Sequence, residues 1–117
     1  MFSWHQEDVN LYSINYLFFG RPKQWYVIPP RAAAKFSAFC QSLYSDLKQR
    51  CGEFMRHKEC LVSPSQLQKA GIPFASTRQE RNEYMLLWPE AFHQGFNYGE
   101  HTHTAAVRVA MRTTSFK

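Results

Sequence analysis

The chain has 117 residues, of which 44% are hydrophobic, 20% charged and 16% aromatic, a globular composition that excludes a disordered polar chain. Its formal net charge of +5 comes from scattered lysines and arginines, which suits a nucleic-acid or chromatin setting but supplies no basic tail and no sign of sequence-specific nucleic-acid binding. No apolar run approaches the roughly 18–20 residues of a membrane span, the first residues lack the basic and apolar regions of a signal peptide, and three cysteines, Cys40, Cys51 and Cys60, fit reduced thiols better than a disulfide framework.

Taken in chain order, residues 5–19, "HQEDVNLYSINYLFF", are rich in aromatic and β-branched residues and predict one or two strands ending at Gly20. "GRPK", 20–23, is turn chemistry, and "QWYVI", 24–28, is a strand stopped by Pro29-Pro30, since proline donates nothing to a ladder. Over residues 31–50 the period changes to helical, with Phe36, Phe39, Cys40, Leu43 and Leu47 on one stripe. A short helix follows, marked by Ser63 as N-cap, Pro64 at its first position and Gly71 past its end. "EYMLLW", 83–88, predicts a strand, "FHQGFNYG", 92–99, alternates aromatics with turn residues, and "AAVRVAMR" sets Val107, Val109 and Met111 opposite Arg108 and Arg112, the pattern of a half-buried strand. Five or six strands flanking a helical middle predict a mainly β fold with helical insertions, antiparallel and of the jelly-roll or cupin type, in which early strands pair with late ones.

One short stretch carries chemistry. In "WHQED", His5 and Glu7 stand two apart, so on a strand both project to one face. They are either surface residues or two thirds of a metal site. Two histidines and one carboxylate would leave open positions on Fe(II), and His93, between two aromatics on a late strand, is the candidate third ligand; alone it reads as a hydrogen-bonded core histidine. Lys23 and Asn15 suggest a holder for a dicarboxylate such as 2-oxoglutarate, which chelates the metal at one end and needs a cation at the other. On spacing alone Lys23 reads as an exposed turn lysine.

Three blocks, "FSWHQEDVNLYSINYLFFGRPKQWYVIPP", "CGEFMRHKECLVSPSQLQKAGIPF" and "FHQGFNYG", occur in the order and at the intervals found in the catalytic JmjC domain of histone lysine demethylases. The chain resembles most the JmjN-plus-JmjC subgroup, from about residue 2 to residue 99. The resemblance implies a double-stranded β-helix barrel and an Fe(II)- and 2-oxoglutarate-dependent dioxygenase that removes methyl groups from lysine on histone tails in the nucleus. It puts His5, Glu7 and His93 on the iron triad, Asn15 and Lys23 on 2-oxoglutarate, Phe2 and Trp25 on the wall of that pocket, and Lys58 near the oxygen and substrate end. Cys51 and His57 fall on two of four ligands of a structural zinc(II) site. The resemblance also implies a partial JmjC domain over residues 1–117, truncated at both ends, whose tail 100–117 diverges. A catalytically degenerate JmjC-like fragment, acting as a binding module or inactive, is the alternative. His101 and His103 read as exposed tail histidines.

Overall fold

The structure, a computed structural model, describes residues 2–7, 11–43, 45, 61–99 and 103–109. Seven strands and two α-helices lie in this part: β1 (Phe2–His5), β2 (Tyr12–Phe19), β3 (Lys23–Ile28), α1 (Ala33–Leu43), α2 (Pro64–Lys69), β4 (Ala75–Gln79), β5 (Tyr84–Leu87), β6 (Phe92–Asn97) and β7 (His103–Val109). One sheet has the order β1-β6-β3-β4 and the other β5-β2-β7. Every pairing is antiparallel, and the fold is the mainly β, cupin-like jelly roll expected from the sequence. Early strands do pair with late ones, β1 and β3 with β6, and β2 with β5 and β7.

The four-stranded sheet has two different faces because side chains alternate along each strand. Trp4, Ile28 and Phe92 point to one face and join Phe36 and Cys40 of α1, Leu67 of α2, Ala32, Val62 and Ile72 in the core. Each such buried apolar side chain stabilises the fold by about 1.5–3 kcal/mol relative to its exposure. The indole of Trp4 would leave a buried donor unpaired, but its Nε1 donates to the Val62 carbonyl at 3.0 Å, which also accepts from the Gln94 side chain at 3.3 Å. That carbonyl therefore ties the segment before α2 to two strands. α2 starts where Ser63 and Gln66 form a reciprocal capping box, and Gly71 follows with φ +66°.

The structure corrects several expectations. β4 was not predicted: "ASTRQ" has no apolar alternation because four of its five residues are exposed on a sheet edge. The late strand expected around His93 forms as β6 and runs on through Gly95. α1 is preceded by a 3-10 turn over Pro30–Ala32, and of its predicted stripe Phe36 and Cys40 are buried whereas Leu43 is exposed. Leu47 and Met111 lie outside the described residues. β7 forms, and of its predicted apolar face Val107 is exposed, while the side chain of Val109 lies outside the described part.

Candidate metal and cosubstrate site

The face of the four-stranded sheet turned away from the helices carries the candidate residues. β1 and β6 pair so that His5 stands opposite His93 and Phe2 opposite Gly95. β3 lies on the other side of β6, with Trp25 also opposite Gly95. Phe2, His5, Lys23, Trp25 and His93 thus come from three adjacent strands. Glu7 lies beyond the end of β1, and β1 is irregular between Phe2 and His5, so strand alternation is not what brings Glu7 to His5.

One ligand atom each of His5, Glu7 and His93 lies within 4.8 Å of the other two. Their protonation follows from their partners. His5 Nδ1 is 2.9 Å from the Ser3 carbonyl, and His93 Nδ1 is 3.1 Å from the Ala91 carbonyl. A carbonyl only accepts, so each Nδ1 bears the proton and each Nε2 of the neutral ring keeps a lone pair. His93 is neutral near pH 7: burial, reinforced by the repulsion that a second proton on the neighbouring His5 ring would exert and by the Lys23 charge, pushes its pKa down to about 4 against the opposing pull of the Ala91 carbonyl and Glu7. Its Nε2 stands 3.5 Å from a Glu7 carboxylate oxygen. Two lone-pair atoms facing each other in a buried setting repel unless a cation lies between them, and the donor set, two imidazoles and one carboxylate, is one that suits Fe(II). The residues therefore fit the metal that the resemblance implies.

Lys23 is buried, not an exposed turn lysine. Its Nζ lies 4.7 Å from the centre of the Phe2 ring and 4.5 Å from that of Trp25, and these cation–π contacts retain some of what hydration gave it. Among the described residues no carboxylate pairs with it, and desolvation lowers its pKa. Phe2 and Trp25 also connect the lysine to the histidines. Phe2 packs 5.6 Å from His5 and 5.4 Å from Trp25, and Trp25 packs 6.1 Å from His93 between ring centres. On β2 of the other sheet, Asn15 is buried and its Oδ1 has no hydrogen-bond partner among the described residues. Among the described residues, a buried cation without a carboxylate and a buried amide oxygen without a donor each raise the energy of the site unless a polar ligand meets them. The lysine fits one end of a small dicarboxylate.

A family model described as JmjC domain, hydroxylase, matches residues 1–107. The chain belongs to the JmjC-domain family. Among its relatives are lysine-specific demethylase 4D of Rattus norvegicus, 46% identical over 98 residues that cover 84% of this chain and 19% of the relative, and probable lysine-specific demethylase 4F of Homo sapiens, 47% identical over 98 residues, 84% and 15%. Lysine-specific demethylase 4B of Mus musculus is 45% identical over 111 residues, 92% of this chain and 10% of the relative. This JmjC chain spans about a fifth or less of the length of each of them.

Of the residues singled out in the sequence, Lys58, Cys51 and His57 lie outside the described part of the JmjC domain, as does His101. His103 opens β7 and packs against Phe18 and Phe19 at 6.1 and 5.7 Å. Sequence reasoning missed two residues that shape the site. Gln79 has no signal in a polar stretch. Gly95 had one, since an isolated glycine within an aromatic strand marks a close approach. A Cβ there would overlap the Gln24 carbonyl and stand 2.9 Å from the Phe2 ring. Gly95→Ala is therefore expected to lower stability by roughly 1–3 kcal/mol, the usual cost of overpacking, and to weaken metal binding by displacing Phe2 beside His5. Urea unfolding and a metal titration check this.

The depressed pKa of His93 has a second consequence. Between its ordinary 6.5 and about 4, the unfolded JmjC chain binds a proton at this residue that the folded chain does not. With metal removed by a chelator, stability should thus fall as pH drops from 6.5 towards 4 and level off below, by at most about 3 kcal/mol. The check is urea unfolding across that range, compared with His93→Gln, in which this component of the slope should vanish.

Proposed function

We propose that this chain carries the catalytic centre of an Fe(II)- and 2-oxoglutarate-dependent dioxygenase that oxidatively demethylates methylated lysine on histone tails, acting on chromatin in the nucleus. The observation that carries this reading is the convergence of His5, Glu7 and His93 beside a buried lysine that no carboxylate among the described residues pairs. That the relatives are named lysine-specific demethylases supports the substrate class.

In this reading His5, Glu7 and His93 hold the metal, each histidine through Nε2, with the carbonyls of Ser3 and Ala91 fixing the ring orientations from behind. Three protein ligands leave the remaining positions open. The bound iron and 2-oxoglutarate supply the activation of dioxygen that oxidises an N-methyl group, which leaves as formaldehyde. Lys23 neutralises the far carboxylate of the cosubstrate. Its attraction is strong because Phe2 and Trp25 keep water away and lower the local dielectric. The Asn15 side chain contributes one further polar contact; turned over, its amide presents N–H to an oxygen of the cosubstrate. Lys58 is assigned to the oxygen and substrate end, and Cys51 and His57 to a zinc site, on the resemblance.

The test is turnover. The full chain supplied with Fe(II), ascorbate, 2-oxoglutarate and a trimethyl-lysine histone peptide is expected to release formaldehyde and succinate in equal amounts. Binding of 2-oxoglutarate by the folded chain with no formaldehyde release would instead establish the degenerate binding module.

A further inference from the structure

β4 is exposed over its first four residues and ends on Gln79, which is 2% exposed. An uncharged polar side chain this deeply buried is held only where its hydrogen bonds are met. All of its principal ones are. Its Oε1 accepts from Trp25 Nε1 at 2.8 Å. Its Nε2 donates to the Asn15 carbonyl at 3.1 Å and to the Glu83 carbonyl at 2.9 Å. In the ladder between β3 and β4, Gln79 stands opposite Lys23. One residue is thus the register partner of the buried lysine and the hydrogen-bond partner of Trp25 and of the Asn15 backbone.

The location explains how it can be. After β4 the chain leaves the four-stranded sheet, turns through residues 80–83, and enters the three-stranded sheet as β5. The turn includes Asn82 at φ +66° and is bonded to β2, with Asn82 N donating to the Leu17 carbonyl at 2.6 Å and Leu17 N donating to the Glu83 carbonyl at 3.2 Å. Gln79 sits at that corner, its amide N–H groups bonded to β2 of the three-stranded sheet and to the Glu83 carbonyl of the turn, while its oxygen holds the indole of the four-stranded sheet. The Trp25 ring is the surface over which the Lys23 ammonium lies. An indole fixed at Nε1 cannot rotate about its Cβ–Cγ bond without breaking a buried hydrogen bond.

We propose that Gln79 is a positioning residue for the cosubstrate pocket: by holding the Trp25 indole it sets the place of the Lys23 ammonium that receives the far carboxylate of 2-oxoglutarate. This rests on the reading that Lys23 and Trp25 belong to such a pocket. A role in joining the sheets alone would weaken the fold and the metal site as much as cosubstrate binding. A positioning role separates them, because His5, Glu7 and His93 make none of Gln79's hydrogen bonds.

The experiment uses the full chain with Mn(II) as a redox-inert stand-in for iron, and calorimetry to measure the Kd of Mn(II) and then of 2-oxoglutarate. Gln79→Leu is expected to raise the Kd of 2-oxoglutarate about 10-fold, the scale of one broken buried hydrogen bond, with the Kd of Mn(II) within about twofold of the parent. In a Trp25→Phe background, which removes the indole donor, the same change should have less than about a twofold effect on 2-oxoglutarate, because the interaction it acts through is already gone. An unaltered Kd for 2-oxoglutarate, an equal weakening of Mn(II), or an undiminished effect in the Trp25→Phe background overturns the proposal. Should Gln79→Leu fail to fold, Trp25→Phe alone decides: a raised Kd for 2-oxoglutarate with unchanged Mn(II) binding supports the proposal, and an unchanged one overturns it. A parent chain that binds Mn(II) but no 2-oxoglutarate overturns the pocket reading itself and this inference with it, a result distinct from a parent and a variant that bind equally well.

Discussion

His5→Ala is expected to weaken metal binding by more than about 100-fold, beyond the loss that follows removal of a mere outer-shell partner, and to abolish formaldehyde release. The size follows from the geometry. Three ligand atoms lie within 4.8 Å of one another, and deleting one leaves a two-point site with a buried imidazole and a carboxylate 3.5 Å apart. His5 is the informative choice because it sits at the end of β1 and is only partly buried, whereas His93 is 2% exposed and its removal would leave a cavity. The thermal midpoint of the chelated variant should therefore stay close to that of the parent. Mn(II) titration by calorimetry or electron paramagnetic resonance is the measurement, and equal affinity in parent and variant would remove these residues from any metal site.

Lys23→Met is expected to raise the KM for 2-oxoglutarate by roughly 30-fold or more, since truncating one member of a buried charge pair costs about 2–5 kcal/mol, while Mn(II) affinity is retained. The same substitution should increase the stability of the ligand-free chain. Burial lowers the pKa of Lys23, which means that the folded state disfavours the charge that the unfolded state holds freely. The sign is definite: the unfolded chain binds the proton more tightly, so this lysine destabilises the fold at neutral pH, and the penalty fades as pH rises through the alkaline range between the folded and ordinary pKa values. Methionine fills similar space between Phe2 and Trp25 without that penalty. A variant that melts higher yet no longer binds cosubstrate is the signature of a residue kept for function at the expense of stability. A Lys23→Met chain that binds 2-oxoglutarate normally would show that the far carboxylate is held elsewhere.

Much of the fold was legible because local chemistry and tertiary position agree. The Ser63-Pro64 start and Gly71 stop of α2 are read from neighbouring residues alone, and the capping box forms as that chemistry dictates. The apolar stretches at residues 12–19, 24–28 and 84–87 are strands because their burial alternates or is continuous. β4 was illegible for the opposite reason: an exposed edge strand imposes no hydrophobic period, and its pairing with β3 comes from the sheet, not from its own residues. β7 forms where the alternation puts a strand, yet Val107 of its apolar face is exposed, since a strand pattern does not say what lies above it.

The sequence by itself determined the donor types, two histidines and a carboxylate with a lysine and an asparagine behind them, and the mainly β order that lets the ends of the chain meet. Only the tertiary structure decided that β1 lies beside β6 with His5 facing His93, that Glu7 reaches them from beyond the strand, and that Lys23 is buried between two aromatic rings without a carboxylate among the described residues. It also decided that Gln79 reaches across both sheets to touch Trp25 and the Asn15 backbone. The reason is physical: a residue type sets which bonds an atom can make, but ligand geometry, burial and the resulting pKa depend on strands far apart in the chain, whose register is set by the packing of whole faces.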